Sequence, residues 1–302
     1  MPLKNFRSVV LFLLAVSTAA CPRYSSGQTP SSAQASSPAQ VAASSIPADP
    51  GQFVHTMIES ELTAENTDHS HWTYRLHKED ERLTQDRQVI ETIDGNLAKT
   101  LLINGQPLTQ DQRSKDEERM KSLVDSPEER AKRKHRESQD EEKARQLLKA
   151  IPDAFLFEYD GTEDGLVRLT FKPNPHYSPA SRELMVYHAM TGRLWIDPVA
   201  RRLGKIEGQL MEDVKFGFGL LGHLDKGGTI KVVQKNVGGN HWEAVMLDLN
   251  IQGRAVIFKS INVKEKQILT DFRRVADNLT MNEAFTILQK ASDPVAENQS
   301  PR

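Results

Sequence analysis

The chain has 302 residues, of which 38% are hydrophobic and 26% are charged, enough for one large domain or two small ones. Its formal net charge is -2. Nucleic acid is therefore not an expected partner, because proteins that bind it usually carry a basic face or a basic overall balance. The single cysteine excludes an intramolecular disulfide, so the fold must be held by its core.

The first twenty residues have the three-part pattern of a bacterial secretory signal peptide. Lys4 and Arg7 form a short basic region, residues 9–16 are apolar, and residues 17–20 are small. The apolar part is too short for a membrane span, and no later segment has the roughly eighteen consecutive apolar residues of a transmembrane helix. The sequence therefore predicts residues 1–20 as a signal peptide and an exported, periplasmic mature chain.

The cysteine, Cys21, directly follows this signal. The preceding residues, Ser-Thr-Ala-Ala, resemble the lipobox of bacterial lipoproteins, in which the cysteine after small residues receives diacylglycerol. Thr18 departs from the leucine that is usual at its position. We expect Cys21 to be lipidated and to anchor the protein to a membrane. The alternative is ordinary cleavage near Ala20, which leaves Cys21 as a free thiol.

Residues 21–50 are rich in Ser, Ala, Pro and Gln and nearly lack large apolar side chains. Such a segment cannot bury enough surface to offset its ordering entropy, so it is predicted to be a disordered tether. Residues 292–302 are predicted to be a disordered tail for the same reason. The folded domain should span residues 51–291.

At the start of the domain, apolar residues recur at spacings of three and four, which predicts an amphipathic helix over residues 52–66. From Trp72 onward, apolar and polar residues alternate and predict strands. A tight turn is expected at Asp94–Gly95.

Residues 109–149 are almost entirely charged, with acidic and basic residues interspersed at helical spacing. We predict an insertion of two helices broken near Ser126–Pro127, because proline fits the first turn of a helix. The basic stretch 130–136 leaves two interpretations open, a partner-binding arm and a solvated helical excursion. We favour the second.

Beyond Pro152 the sequence predicts strands separated by short turns. The gaps are too short for helical crossovers, so the sheet should be antiparallel, with about ten or eleven strands, and it should be followed by a helix over residues 280–290. The expected turns are 160–161, 191–192, 227–228, 238–239 and 252–253. The expected strands in this part are 154–160, 167–171, 182–190, 193–198, 202–210, 229–236, 241–251, 254–264 and 267–275.

So many strands curl or close rather than stay flat. Several strands, such as residues 242–249, carry apolar residues on both faces, so one face could pack on a helix while the other lines a cavity. The predicted fold is mainly β (α+β): a large curled antiparallel sheet or half-barrel with flanking lid helices and a charged helical insertion.

The run at residues 195–208, WIDPVARRLGKIEG, together with the predicted order of elements, resembles the outer-membrane lipoprotein-sorting (LolA/LolB-like) superfamily. The segment NGQPL at residues 104–108, followed by a charged insert, is similar to uncharacterised envelope proteins of soil bacteria. The resemblance covers about residues 50–291 and implies a half-barrel with an apolar cavity. The insertion departs from the simple carriers of this superfamily, and a lipid-anchored N-terminus fits the membrane-bound acceptor better than the soluble shuttle.

A glycine-rich segment, residues 217–222, formally satisfies G-x-G-x-x-G. A dinucleotide site needs this motif inside a parallel βαβ unit, and the surroundings are predicted to be antiparallel. We interpret it as an apolar connection that either lines or covers the cavity or packs in the core. The two tryptophans of the C-terminal half, Trp195 and Trp242, could likewise contact a ligand or belong to the core. The predicted ligand contacts are Trp195, Phe216, Phe218, Leu220, Leu221 and Trp242.

Asp68, His69 and His71 are potential metal ligands, but no further ligands follow at a recognisable spacing, so a loop is the better interpretation and no metal or cofactor is expected. His241 and the other strand histidines are expected to be buried with their nitrogens satisfied. No nucleophile motif and no argued pair of acids suggests catalysis, so the protein is not expected to be an enzyme.

The sequence thus predicts an exported, non-enzymatic envelope protein. Its expected partners are a lipid or lipoprotein acyl chain, bound in the concave face of the curled sheet, and a membrane, reached through the lipid anchor. The alternative is a protein–protein interaction or scaffold domain that docks through the charged helices 109–149. The ligand, the membrane and the oligomeric state stay open.

Overall fold

The structure is a computed structural model that describes residues 46–217, 222–255 and 259–290. Cys21, the predicted signal peptide and the predicted tail lie outside the described residues, as do nearly all of the predicted tether and Phe218, Leu220 and Leu221. The described residues form one antiparallel sheet of 13 strands, not closed into a barrel, together with a few helices. The predicted mainly β class is confirmed.

The helices begin where the sequence provides capping side chains. The Asp49 carboxylate accepts hydrogen bonds from the first backbone amides of the first helix, and Thr109 forms a capping box with Gln112. Ser126 ends the second helix and caps the third, with Pro127 in its first turn, as predicted. The α-helices of the described chain are α1 (Pro50–Thr67), α2 (Gln110–Asp125), α3 (Pro127–Ala154) and α4 (Met281–Lys290).

The strands follow one another across the sheet in the order β4-β3-β2-β1-β13-β12-β11-β8-β7-β6-β5, while β10 pairs with β12 and β9 pairs with β10. The insertion α2–α3 separates β4 from β5 in the chain, and these two strands end the path at opposite borders. The strands are β1 (His71–Asp80), β2 (Thr84–Thr92), β3 (Gly95–Ile103), β4 (Gln106–Pro107), β5 (Phe155–Glu163), β6 (Leu166–Pro173), β7 (Met190–Asp197), β8 (Arg202–Leu210), β9 (Val214–Phe216), β10 (Gly222–Leu224), β11 (Thr229–Gly238), β12 (His241–Ala255) and β13 (Lys259–Val275).

The main core lies between one face of the sheet and the helices α1 and α3. Helix α1 buries Phe53, Val54, Met57 and Ile58 there, and the last turns of α3 add Leu147 and its neighbours. We call this side of the sheet the helix-covered face and the other side the outer face. A smaller cluster at the β2–β3 end packs Ile90 and Leu97 against apolar residues of α2 and α4. Because Val89 belongs to the main core and side chains alternate along a strand, Ile90 faces the outer side.

The predicted strand at 182–190 is wrong. Residues Glu183–Ala189 form a short 3-10 helix that buries Leu184, Val186 and Tyr187 in the main core. The Tyr187 hydroxyl donates a hydrogen bond of 3.1 Å to the carbonyl oxygen of Leu147 in α3. Packing against α3 therefore decides the local structure of this short apolar segment.

The turns predicted at 160–161, 191–192 and 252–253 are also wrong, because each pair lies inside a strand. Gly161 adopts a positive φ of 92° at a register shift within β5. Gly253 lies under the backbone of β10: a Cβ atom there would be 2.2 Å from the carbonyl oxygen of His223. The predicted turns at 94–95, 227–228 and 238–239 are confirmed. Of the predicted strand 254–264, residues 254–255 belong to β12, while residues 259–264 and the last predicted strand, 267–275, form the single strand β13.

The charged insertion covers the border of the sheet at β3. The Asp116 carboxylate of α2 accepts bonds of 2.9 Å from both the backbone amide and the hydroxyl of Thr100. Arg133 of α3 donates to the carbonyl oxygen of Asn96 at 3.0 Å, and Arg119 donates to a further β3 carbonyl. Charged side chains thus bond β3 backbone groups at this border of the sheet.

Candidate functional site

A buried polar cluster holds α1 on the sheet. The Glu61 side chain is 4% exposed and accepts three hydrogen bonds. Its donors are Arg202 Nη2 at 2.8 Å, the backbone amide of Leu203 at 2.9 Å and Gln234 Nε2 at 3.3 Å. A buried carboxylate is tolerated because it is paired and fully bonded in this way.

His241 at the start of β12 lies between two carboxylates. Its Nδ1 bonds Asp68, the residue that ends α1, and its Nε2 lies 2.9 Å from Glu243 Oε1. The Trp72 ring stacks on the imidazole with 4.9 Å between ring centroids. Burial alone would lower the pKa of His241, but Glu243 and Asp68 favour the charged ring and raise this pKa above 6.5.

The pKa of Asp68 shifts in the opposite direction. Burial acts to raise it, yet hydrogen bonds from His241 and Ser70 outweigh burial and lower this pKa to about 2. Since carboxylates bond both ring nitrogens of His241, neither nitrogen is free to exchange a proton with a substrate. The cluster therefore connects the end of α1 to β12 through hydrogen bonds between charged groups.

The predicted ligand residue Trp195 lies on the outer face. Its neighbours Leu194 and Ile196 are in the main core, so alternation directs Trp195 to the other side of β7. The Lys205 ammonium lies 4.0 Å from the centre of the Trp195 ring. The indole Nε1 of Trp195 donates a hydrogen bond of 3.1 Å to Glu163 Oε2. Trp195 is therefore buried beneath charged side chains, away from α1 and α3.

Trp242 and Phe216 occupy two other places. Trp242 is buried, and the Arg202 guanidinium lies 5.8 Å from the centre of its ring. Phe216 is the last residue of β9 and is partly buried against the main core. Phe216 pairs with Gly222 in the antiparallel ladder between β9 and β10, so the glycine-rich segment does not belong to a βαβ unit. The structure does not bring the two tryptophans into one site.

A cleft of about 450 Å³ opens beside the border strand β5. It lies between the N-terminus of α1, the C-terminus of α3, the start of β5 and the loop after β6. We call it the β5 cleft. Its lining residues are Asp49, Gly51, Pro152, Asp153, Phe155, Leu156, Phe157, Asn174, His176, Tyr177 and Ser178.

Aromatic side chains of the main core reach the β5 cleft. Phe155 and Phe157 line it and are otherwise buried among core residues. The Phe155 ring packs edge-on against Phe171 with 4.9 Å between centroids, and its centroid lies 5.0 Å from that of Tyr187. Leu156, which also lines the cleft, is 43% exposed. The core between sheet and helices thus meets solvent at this point.

A second cleft, of about 550 Å³, lies across strands β6, β7, β8, β11 and β12 and is lined mostly by polar and charged residues. Arg193, Glu207, Lys231 and Asp248 are neighbours in register across four of these strands. Their charges alternate, and Lys231 Nζ lies 3.1 Å from Glu207 Oε1. These charges compensate one another, so the charged side chains of this cleft are already paired within the protein.

Comparison with known protein families and with curated proteins finds no match to this sequence. Within the part of the chain that the structure describes, none of the helices combines the length and the apolar character of a membrane span. In the same residues, no three His, Cys, Asp or Glu side chains are grouped to hold a metal ion.

Proposed function

We propose that the protein is an exported binding protein for an amphiphilic ligand, a lipid or a lipoprotein acyl chain, whose hydrocarbon part occupies the β5 cleft. The observation that carries this proposal is the contact between cleft and core, because Phe155 and Phe157 belong to both. An apolar chain that enters there would continue the hydrophobic packing of the helix-covered face.

The size and the lining of the cleft support this kind of ligand. Pockets for small molecules typically measure about 300–1,000 Å³ and combine apolar walls with a few polar groups that orient the ligand. The β5 cleft has an aromatic floor and a polar rim that includes Asn174, His176 and Ser178. The proposed site differs from the predicted ligand contacts that the structure describes, because Trp195, Phe216 and Trp242 do not line it.

Blocking the cleft tests the proposal. Ser178 is exposed in the lining, so Ser178→Trp should fill the cleft without disturbing the core. The neutral fluorophore N-phenyl-1-naphthylamine should bind the mature domain saturably, and the substitution should weaken binding at least tenfold. The control Val199→Trp adds the same ring at a position that is 80% exposed in the turn between β7 and β8.

Two results would contradict this function. One is the absence of saturable fluorophore binding together with no copurifying acyl chain in native mass spectrometry. The other is equal binding by the Ser178→Trp and Val199→Trp proteins. Either result would leave the β5 cleft as a surface depression without a ligand.

Export and anchoring complete the proposal. Cys21 would carry the lipid and the mature domain would face the periplasm at the end of its tether. A Cys21→Ser protein should lose the mass of the acyl groups and leave the membrane fraction. If both properties are unchanged, the anchor is elsewhere and Cys21 is an ordinary thiol.

Docking of a partner through the charged helices has less support. Asp116, Arg119 and Arg133 bond β3, so this part of the insertion already serves the fold. Deleting residues 110–148 would therefore expose β3 as well as remove the helices. Reversing exposed charges such as Lys134 and Arg136 is the cleaner test, and a docking function requires that this change alone abolish an interaction.

A further inference from the structure

The rim of the β5 cleft is acidic. Asp49 and Asp153 line it, and no lysine or arginine is among the described residues of its lining. Neither carboxylate forms an ion pair with any residue that the structure describes. A ligand in the cleft would therefore meet two carboxylates, of which Asp49 is bonded by backbone amides of α1 and neither is paired with a described lysine or arginine.

The position of Asp153 adds to this negative potential. It lies in the last turn of α3, which contains no basic residue. The C-terminus of a helix already carries a partial negative charge, so a carboxylate there is electrostatically unfavourable unless a cation approaches. The field reaches Tyr177 in the cleft: burial first, and then the charge of Asp153, raise the pKa of its hydroxyl.

The aromatic floor completes a site for a cation. Phe155, Phe157 and Tyr177 line the same cleft as the two carboxylates. Ring faces attract ammonium groups within about 6 Å, and quaternary ammonium ligands are typically recognised by such rings. We infer that the ligand bound in the β5 cleft carries a cationic head group, an amine or a quaternary ammonium, held between Asp49, Asp153 and these rings.

This inference rests on the proposed function, and it assigns the chemical class of the ligand. An anionic head group would be repelled by both carboxylates, and a neutral one would gain no Coulomb attraction. Three amphiphiles with the same dodecyl chain separate these cases: dodecyltrimethylammonium, dodecyl maltoside and dodecyl sulfate. Each is titrated below its micelle concentration against the mature domain loaded with N-phenyl-1-naphthylamine.

The trimethylammonium compound should displace the fluorophore at a concentration at least tenfold lower than the maltoside, and the sulfate should be the weakest. The double variant Asp49→Asn, Asp153→Asn should bring the cation to the level of the maltoside and leave the maltoside unchanged. Asparagine still caps a helix, so α1 keeps its first turn. The control Glu158→Gln, Asp164→Asn removes two charges outside the cleft lining and should keep the preference for the cation.

The outcomes separate the two proposals. If none of the three amphiphiles displaces the fluorophore and none binds directly, the proposed function fails together with the inference. If all three bind equally, or the sulfate binds best, the binding function stands and the cationic head group is wrong. A preference that disappears equally in the control variant reflects overall charge and also overturns the inference.

Discussion

The Arg202 guanidinium of β8 and the Glu61 carboxylate of α1 form a buried ion pair, with 2.8 Å between Nη2 and Oε2. The two residues are 141 positions apart in the chain, and the side chains of Arg202 and Glu61 are 9% and 4% exposed. Removing one partner of such a pair leaves an uncompensated buried charge, which typically costs about 3–5 kcal/mol. The packing of α1 on the sheet should therefore be sensitive to a single substitution of either residue.

We predict that Glu61→Ala lowers the free energy of unfolding by about 3–5 kcal/mol, measured by urea denaturation. The double variant Glu61→Leu, Arg202→Met replaces both charges by apolar groups and should recover part of this loss, since the Leu203 amide and Gln234 still lose their acceptor. A loss below about 1 kcal/mol in the single variant would show that water reaches the pair and that it is not buried in solution.

The cluster around His241 predicts a dependence of stability on pH. Because the folded-state pKa of His241 lies above 6.5, its stabilising contribution is fully present below that pH and is lost as pH rises through the folded-state pKa. Urea denaturation should give a smaller free energy of unfolding at about pH 9 than at about pH 6. In His241→Gln this difference should shrink, and a ring that titrates below pH 6.5 by NMR would contradict the prediction.

Asp68 predicts the opposite dependence at acid pH. Its folded-state pKa of about 2 lies below the ordinary value of 3.8, so its contribution is present above pH 3.8 and is lost as pH falls towards 2. Asp68→Asn should therefore flatten the loss of stability in this range. An acid transition identical to that of the unmodified protein would mean that other carboxylates determine it.

The bonds between the insertion and β3 predict a role in protecting the sheet. Asp116→Ala removes both bonds to Thr100 and should lower the free energy of unfolding by about 1–3 kcal/mol while speeding hydrogen exchange in β3. Glu118→Ala, an exposed change on the same helix, is the control. Equal exchange rates in the two variants would show that α2 does not hold this border.

Close backbone packing at Gly192 predicts a strong effect of a single methyl group. A Cβ atom there would lie 1.9 Å from the carbonyl oxygen of Glu207 and 2.8 Å from the Phe171 ring. Gly192→Ala should destabilise the protein by about 3 kcal/mol or more in thermal or urea unfolding. Gly204→Ala meets only the flexible end of Leu166 and should cost clearly less, and the reverse order would contradict the packing described.

Local patterns in the sequence predicted much of the fold. The spacing of apolar residues indicated α1, and Pro127 marked the break between α2 and α3. These signals work because caps and periodicity act within a few residues. The segment 182–190 was misread as a strand because a short apolar run fits both a strand and a helix, and contact with α3 selects the helix.

The candidate sites depend on contacts that periodicity does not encode. The bond between Asp68 and His241 joins residues 173 positions apart, and the sequence grouped Asp68 with His69 and His71 instead. Phe155 and Phe157 were within a predicted strand, but only the pairing of distant strands places that strand at the border of the sheet. Trp195 faces the outer side because the register of β7 sets its direction.

The two borders of the sheet differ in the groups that bond them. At one border the insertion already bonds β3, while at the other β5 pairs only with β6 among the described strands. If two copies paired through their β5 strands, the two sheets would be continuous. The outer border on each side of this pair would then be the β3 border, which the insertion covers. Growth would stop at the pair, because the insertion occupies the remaining border of each copy.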